Sequence, residues 1–470
     1  MDRRLLFLLG ILMVIGGCSL APAYTRPDAP IPTVWPTGPA YQDQQPTGTA
    51  PHAPDLAWRE FFVDEGLQSV IQTALDNNRD LRLAALNVQR ARAVYGIQRA
   101  ALFPALDATA NGSKKRVPAD ISSTGERHTS EQYDINLGVY AWEIDFFGRL
   151  SSLRDQALEA FLATEEARRS AQILLISAVG DAYLTLAADR EALQLTQRTF
   201  EAQQDTFNLV KRRYDVGLAT ELDLNFAQTQ VDIARRDMTR YTQRVAQDEN
   251  ALNFLVGNPS SLSTGSLPEH LAGVKPFKAI EAGISSEVLL RRPDILQAEH
   301  ELKAANANIG AARASLFPRI SLTSSVGTAS AELSGLFEAG SGTWLFAPQV
   351  VMPVFDARLW SALEVTKAEQ EIALVQYEKA IQTAFREAAD TLAVQGTVDE
   401  ELAAQESLVR ATAKTYRLSE ARYLEGIDNY LGVLVAQRSL FAAQQGLVAL
   451  NLIKRANQVR LYAVLGGGSQ

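Results

Sequence analysis

The chain has 470 residues, 45 Lys and Arg against 54 Asp and Glu, a net charge of −9 and 47% hydrophobic residues. The acidic balance argues against nucleic acid as a main partner, because phosphate binding needs a basic face. A lone cysteine rules out an intrachain disulfide and a cysteine metal cluster. His52, His128, His270 and His300 share no ligand spacing, and there is no P-loop, no GxGxxG and no GxSxG in a strand–turn–helix context.

The N-terminus reads as an address. Arg3 and Arg4 precede an apolar run over 5–15, followed by Gly16, Gly17 and Cys18. The run is shorter than the roughly 20 residues a spanning helix needs, and the small residues before Cys18 suit a cleavage site. Ile15-Gly16-Gly17-Cys18 resembles a bacterial lipobox, with Ile a permissive first residue. The resemblance implies removal of 1–17 and a lipidated Cys18 held by several acyl chains, which anchor where one does not. In lipoproteins of that kind, Ser19 in place of an aspartate implies the outer membrane. A signal peptide with an incidental cysteine is the plainer alternative. Nine of the eighteen prolines then fall within 22–54. Proline fixes φ and lacks an N–H, so this stretch is extended: either a strap along the body, pinned by Trp35 and Tyr41, or disorder.

The remainder is an internal duplication. Residues 78–104 align with 292–318 at an offset of 214, sharing Asp80/Asp294, Gly96/Gly310, Arg99/Arg313 and a Leu-Phe-Pro run ending at Pro104 and Pro318. Residues 206–257 align with 415–466 at an offset of 209, sharing Arg213-Tyr214/Arg422-Tyr423, Gly217/Gly426, Leu222/Leu431 and Gly257/Gly466. A period above 200 residues is not a solenoid of short repeats. The reading is six segments: signal 1–17, anchored Pro-rich segment 18–55, first repeat 56–257, linker 258–284, second repeat 285–466 and tail 467–470.

Each repeat reads as a helix, two strands and two long helices. In the first, Leu224, Ala227, Val231, Ala234, Met238, Tyr241 and Val245 step by three and four, a coiled-coil seam. Adding 209 gives Val433, Ala436, Leu440, Ala443, Leu447 and Leu450, then Lys454 as the one interruption. Residues 149–213 contain no proline and one glycine, Gly180. As one helix they span about 95 Å at ~1.5 Å per residue, and 358–422 match them. Such helices do not fit a compact enzyme domain. They fold back at Gly217 and Gly426, where glycine suits the helix end.

The strands alternate. Leu106, Ala108 and Ala110 interleave with Asp107, Thr109 and Asn111; Ile135, Leu137, Val139 and Ala141 with Asp134, Asn136 and Tyr140; Ile320, Leu322 and Val326 with Ser321, Thr323 and Ser325. A fourth strand near 346–352 is less regular and holds Pro348. Period-two alternation means one apolar and one polar face. Long polar loops at 116–131 and 329–343, with Tyr133, Trp142 and Trp344 at strand ends, suit an outer-membrane barrel. Four strands do not close a barrel, and open edges do not sit in lipid. Three copies supply twelve strands and twelve helices. Pro104 and Pro318 read as helix-to-strand breaks, Asp80 and Asp294 as helix N-caps, Asp145 as a cap, and Glu165-Glu166 and Glu400-Glu401 as solvent-facing pairs.

Several motifs together carry a family resemblance: 77–81 (Asn-Asn-Arg-Asp-Leu), 142–149 (Trp-Glu-Ile-Asp-Phe-Phe-Gly-Arg), 291–295 (Arg-Arg-Pro-Asp-Ile), Gly310 to Arg313 with 316–318, and the run from Tyr423 to Arg438. By these the chain closely resembles the TolC/OprM-type outer-membrane efflux proteins, in their lipoprotein drug-efflux subgroup. The resemblance implies a mainly α fold with a small β part: a trimeric α-barrel of coiled-coil helices carrying a twelve-stranded β-barrel. It implies no cofactor and no metal, and a homotrimer in outer-membrane lipid that meets a periplasmic adaptor and an inner-membrane transporter. It also implies a periplasmic gate at the second hairpin tip, carried onto Tyr423, Leu431 and Arg438, with Asp223 at the matching place in the first half. Leu431 would form an apolar ring. Val435 stands where the family commonly has an aspartate, leaving Asp223, Glu221 and Asp428 to supply an acidic mouth, which favours cations. A type I protein-secretion or metal-efflux conduit, and a lipid-anchored coiled-coil adhesin, are the alternatives.

Overall fold

The structure, a computed structural model, describes residues 19–41, 53–257, 267–280 and 285–468. The proposed lipid acceptor Cys18 lies outside the described residues. In order come α1 (Trp58–Phe61), α2 (Glu65–Asn77), α3 (Arg79–Ala100), β1 (Asp107–Val117), β2 (His128–Ile144), α4 (Arg149–Asp215) and α5 (Glu221–Val256). The second repeat supplies α6 (Pro293–Ala314), β3 (Arg319–Ser330), β4 (Gly342–Val351), α7 (Ala357–Leu424) and α8 (Tyr430–Val464). The two longest helices, α4 with 67 residues and α7 with 68, run unbroken where no proline interrupts them and are about 100 Å long at ~1.5 Å per residue.

The described residues fall into two compact units. One holds residues up to 28, 87–164 and 297–377. Its centre is an antiparallel sheet in the order β1-β2-β3-β4, so β1 and β4 are open edges. Pro348 sits on edge strand β4 opposite Leu322, a place where a missing N–H is tolerated. The register breaks between Val139 and Trp142, and Ala141 there adopts φ 53°. Its N–H donates to Thr323 Oγ1 at 3.0 Å instead of to the ladder. This is a bulge rather than the unbroken alternation expected through Ala141. The strands also run further than expected, which shortens the loops to 118–127 and 331–341.

Below the sheet, Asp145 accepts from Leu150 N at 3.0 Å and Ser151 N at 2.7 Å, capping α4 as expected. Arg149 instead grips the buried Glu143 through two 2.7 Å bonds, and Arg319 reaches the same carboxylate at 2.6 Å. The N-terminal stretch lies along α6. Arg26 pairs with Glu299 at 2.8 Å, and the carbonyls of Leu20 and Pro22 accept from Arg313 and Asn306. Gly310 is required there, since a Cβ would meet Ala21 N at 2.8 Å.

The other unit holds 29–86, 165–296 and 378–470, so far as these are described. Its core stacks Phe61 on Tyr462 at 4.1 Å and sets Phe62 and Phe277 against them. Trp35 stacks on Phe385 at 5.7 Å, so the strap is pinned as expected at that residue. The seams bury Ala227, Val231, Ala234, Tyr241 and Leu252 in α5, and Val433, Ala436, Ala443, Leu450 and Leu461 in α8. Each buried aliphatic side chain of Val or Leu size contributes about 1.5–3 kcal/mol relative to exposure. Lys454 leaves its seam to pair with Asp399 at 2.6 Å. An 18-residue window of α4 has mean hydropathy 1.5, yet 56% of it is buried within the chain; it is core.

The duplication extends to individual hydrogen bonds. Asn78 Nδ2 donates to Leu255 O at 2.8 Å, and Arg292 Nη1 donates to Val464 O at 2.8 Å. These are equivalent residues reaching equivalent helix ends, beside Gly257 (φ 73°) and Gly466 (φ 89°). Three expectations are corrected. Asp80 is not the cap of α3, because Asn78 Oδ1 accepts from Asp80 N and Leu81 N at 2.9 Å each. Asp294 lies inside the first turn of α6 and pairs with Arg292 at 2.7 Å. Glu166 is buried rather than solvent-facing, and it accepts from Arg169 at 2.8 Å.

Candidate functional site

Two surfaces carry the functional expectations, and the first is the sheet. The register places Ile135, Leu137, Val326, Trp344, Phe346 and Val350 on one face, all substantially exposed in the single chain. The opposite face carries Thr109, Asn111, Asp134, Asn136, Thr323 and Gln349. There Asp134 accepts from Asn111 at 3.1 Å and from Asn136 at 2.7 Å. A contiguous exposed apolar face on a sheet whose other face is polar and hydrogen-bonded fits lipid on one side and water on the other.

The second surface is the pair of hairpin tips. Each helix ends in a Schellman turn. Gly217 N and Leu218 N donate to Tyr214 O and Arg213 O at 2.9 and 2.7 Å; Gly426 N and Ile427 N donate to Tyr423 O and Arg422 O at 3.0 and 2.9 Å. Gly217 at φ 77° and Gly426 at φ 73° hold the left-handed geometry that only glycine adopts freely. Beyond the turns the tips diverge. The first return helix, α5, starts with a capping box: Asp223 N donates to Thr220 Oγ1 at 3.1 Å, and Thr220 N donates back to Asp223 Oδ2 at 3.0 Å. The second, α8, is capped by Asn429 alone, through a long 3.4 Å bond from Gly432 N. Its turn is tied by Arg422, which donates to Asp428 at 2.6 and 3.1 Å. That guanidinium holds the Asp428 carboxyl below its ordinary range.

The tips share a core of Val210 and Ala227 from the first hairpin and Tyr430, Val433 and Leu434 from the second. Tyr423 packs on this core with its ring 5.3 Å from Tyr430, and the Arg213 guanidinium lies 5.0 Å over its face. Burial raises the Tyr423 hydroxyl pKa, Arg213 works against that rise, and Asp223 adds to it. Tyr416 donates to Glu420 at 3.1 Å, and burial with that carboxylate pushes it up to about 12. All three tyrosines are neutral at physiological pH.

Among the sequence-derived residues, Tyr423 is thus brought between the hairpins. Asp223 serves its own helix end, and Asp428 is engaged by Arg422. Leu431 is 52% exposed and Val435 58% exposed; both line a groove with Thr412, Thr415 and Ser419. Arg438 is exposed, with no hydrogen-bond or ion-pair partner among the described residues. Arg213, Tyr416 and Tyr430 were not singled out from the sequence. The shared Arg-Tyr pair at 213–214 and 422–423 was the available signal for Arg213; Tyr430 had none, because its first-half counterpart is Glu221.

The fold and these two surfaces define an outer-membrane channel protein whose periplasmic part is helical. The model of the family described as "Outer membrane efflux protein" matches residues 70–258 and 284–467, and the chain belongs to that family. It is 48% identical over 476 residues to a protein of Pseudomonas putida described as "Toluene efflux pump outer membrane protein TtgC", covering 100% of this chain and 96% of that one. It is 41% identical to outer membrane protein OprJ of Pseudomonas aeruginosa over 97% of this chain and 94% of the relative. Among solved structures, the open state of the Neisseria gonorrhoeae MtrE outer membrane channel superposes with a TM-score of 0.85 at 36% identity, covering 96% and 99% of the two chains. The family is one of outer-membrane efflux proteins and the solved neighbour is an outer membrane channel, so the adhesin alternative falls. The protein is an outer-membrane component of an efflux pump, mainly α with one four-stranded sheet per chain.

Proposed function

We propose that three copies form one conduit exporting drugs, solvents and other small apolar molecules from the periplasm to the outside. The observation that carries this reading is the sheet: β1 and β4 are both open edges, while the face between them is apolar and exposed. In lipid every main-chain polar group needs a partner, and joining β4 of one copy to β1 of the next satisfies both edges at once. Twelve strands then close. The toluene efflux relative favours small organic cargo over proteins or metal ions. The tripartite partners, an adaptor and an inner-membrane transporter, follow from membership of an efflux pump. Cys18 is the lipidated N-terminus, and 18–55, 56–257, 258–284 and 285–466 are the anchored segment, first repeat, linker and second repeat.

The gate is the second hairpin tip. Leu431 faces out of its own chain and so is available to form a ring of three, and Tyr423 holds α7 against the first hairpin. Arg438, exposed on α8, contacts a neighbouring copy. Adaptor binding favours an arrangement in which the second hairpins swing away, a shift between two states. Val435 leaves the Leu431 level apolar, and Asp223 with the exposed Glu221 supplies the negative charge, the Asp428 carboxylate being paired with Arg422. Light scattering of the purified protein tests the assembly: a mass of three chains supports it and a monomer overturns it. Loss of dye or toluene export on deleting the gene, with the transporter intact, tests the transport role.

A further inference from the structure

The core shared by the tips contains one group that does not fit it. Tyr430 is 1% exposed, and its hydroxyl oxygen is buried without a hydrogen-bond partner among the described residues. Around it are Val210, Ala227, Val433, Leu434 and the Tyr423 ring. Tyr430 is the first residue of α8, directly after the weak Asn429 cap. Its ring belongs to the second hairpin, while Val210 and Ala227, with Phe207, Leu224 and Phe226 beside them, come from the first. Burial raises its hydroxyl pKa, with Tyr423, Tyr416 and Asp223 adding to the rise, so the group is a neutral donor with no acceptor among the described residues.

We infer that Tyr430 is a positioning residue for gating, in which ring and hydroxyl act in opposite directions. The ring fills the joint between the hairpins and holds them together. The buried hydroxyl loses its hydrogen bonds to water in the packed tip and regains them when the second hairpin leaves the first. The packed state is therefore less stable than the same contacts made by a phenyl ring. The tip stays within reach of its partner's binding energy instead of locking shut. The first hairpin lacks such a device, because Glu221 at the corresponding position is exposed. This inference rests on the reading of the second tip as the gate.

The test compares Tyr430→Phe and Tyr430→Ala in the full-length channel. The first removes only the oxygen; the second also removes the ring. Two readouts are taken: single-channel conductance in planar bilayers, and amide hydrogen exchange of residues 416–434. Tyr430→Phe is expected to slow exchange at the second tip by roughly 5- to 150-fold, the range of an unsatisfied buried polar group, and to lengthen closed intervals. Tyr430→Ala is expected to speed exchange and raise conductance. Faster exchange or more opening in Tyr430→Phe means that the hydroxyl stabilises the packed tip and overturns the proposal; unchanged values overturn it as well. Tyr423→Phe with Leu431→Ala, run alongside, separates the two readings. If that pair opens the channel while Tyr430→Phe changes nothing, only the role of Tyr430 falls. If exchange responds as expected in the Tyr430 variants but no variant alters conductance, the tip is not the gate and both fall.

Discussion

The two hairpin tips descend from one sequence and make the same glycine turn, yet they are held in different ways. The first carries its own fastening: the capping box of Thr220 and Asp223 satisfies helix-end donors with local side chains. The second has Gly432 where the first has Asp223, a single long cap bond, and an exposed Arg422–Asp428 pair. Its order comes from Tyr423, Tyr430, Val433 and Leu434 packing on the other hairpin. A locally fastened tip persists when its neighbour moves. A tip ordered by its neighbour is released when contact is lost. Under the gating proposed above, this difference makes the second hairpin the moving part.

The largest expected effect tests that dependence. Tyr430→Ala removes a fully buried ring and is expected to cost about 3–5 kcal/mol of tip packing. Limited trypsin cleavage at Arg417 and Arg422 is expected to rise sharply while the first tip stays resistant. Equal cleavage at both tips contradicts the comparison. Thr220→Ala deletes the first cap, at about 1 kcal/mol, and is expected to fray α5 locally, as seen by hydrogen exchange, without changing conductance. Gly217→Ala and Gly426→Ala impose the same left-handed strain, about 1–2 kcal/mol each, because the two φ values nearly coincide. Only the second is expected to alter conductance.

Much of this arrangement is legible in the sequence. The 209-residue offset places both seams, both turn glycines and the helix ends at Leu255 and Val464. The alternating faces give the strands and imply the open edges. The bulge at Ala141 is not legible, since nothing local marks a non-glycine residue for positive φ. The capping of α3 by Asn78 rather than Asp80 turns on a two-residue shift of the helix start. The tip core escapes the reading because it joins residues over 200 positions apart, and because Tyr430 departs from its counterpart in the duplication. Where the halves agree, the sequence reports structure; where they differ, at Thr220/Asn429, Asp223/Gly432 and Glu221/Tyr430, it marks the specialised tip.

A smaller effect separates the hairpins by pH. In the first, burial raises the pKa of Asp189, and burial together with Asp189 raises Asp248 to about 6; Arg244 works against both. A carboxyl whose folded pKa lies above its unfolded value binds more protons when folded, so stability rises as pH falls through that window. Lowering pH from 7 toward 5 is expected to slow exchange along α4 and α5 near Asp189 and Asp248, and Asp248→Asn to flatten the response. A response of equal size in α7 and α8 would remove this distinction.

The most direct measurement is single-channel conductance of the purified channel in planar bilayers, comparing Tyr423→Phe with Leu431→Ala against Leu222→Ala, the first-tip counterpart of Leu431. A gate built from the second tip gives a small, cation-preferring conductance in the wild type, a sharp rise in the second-tip variant and no change in the first-tip variant. A large conductance untouched by either substitution, or an equal rise from both, would contradict a gate built from the second tip.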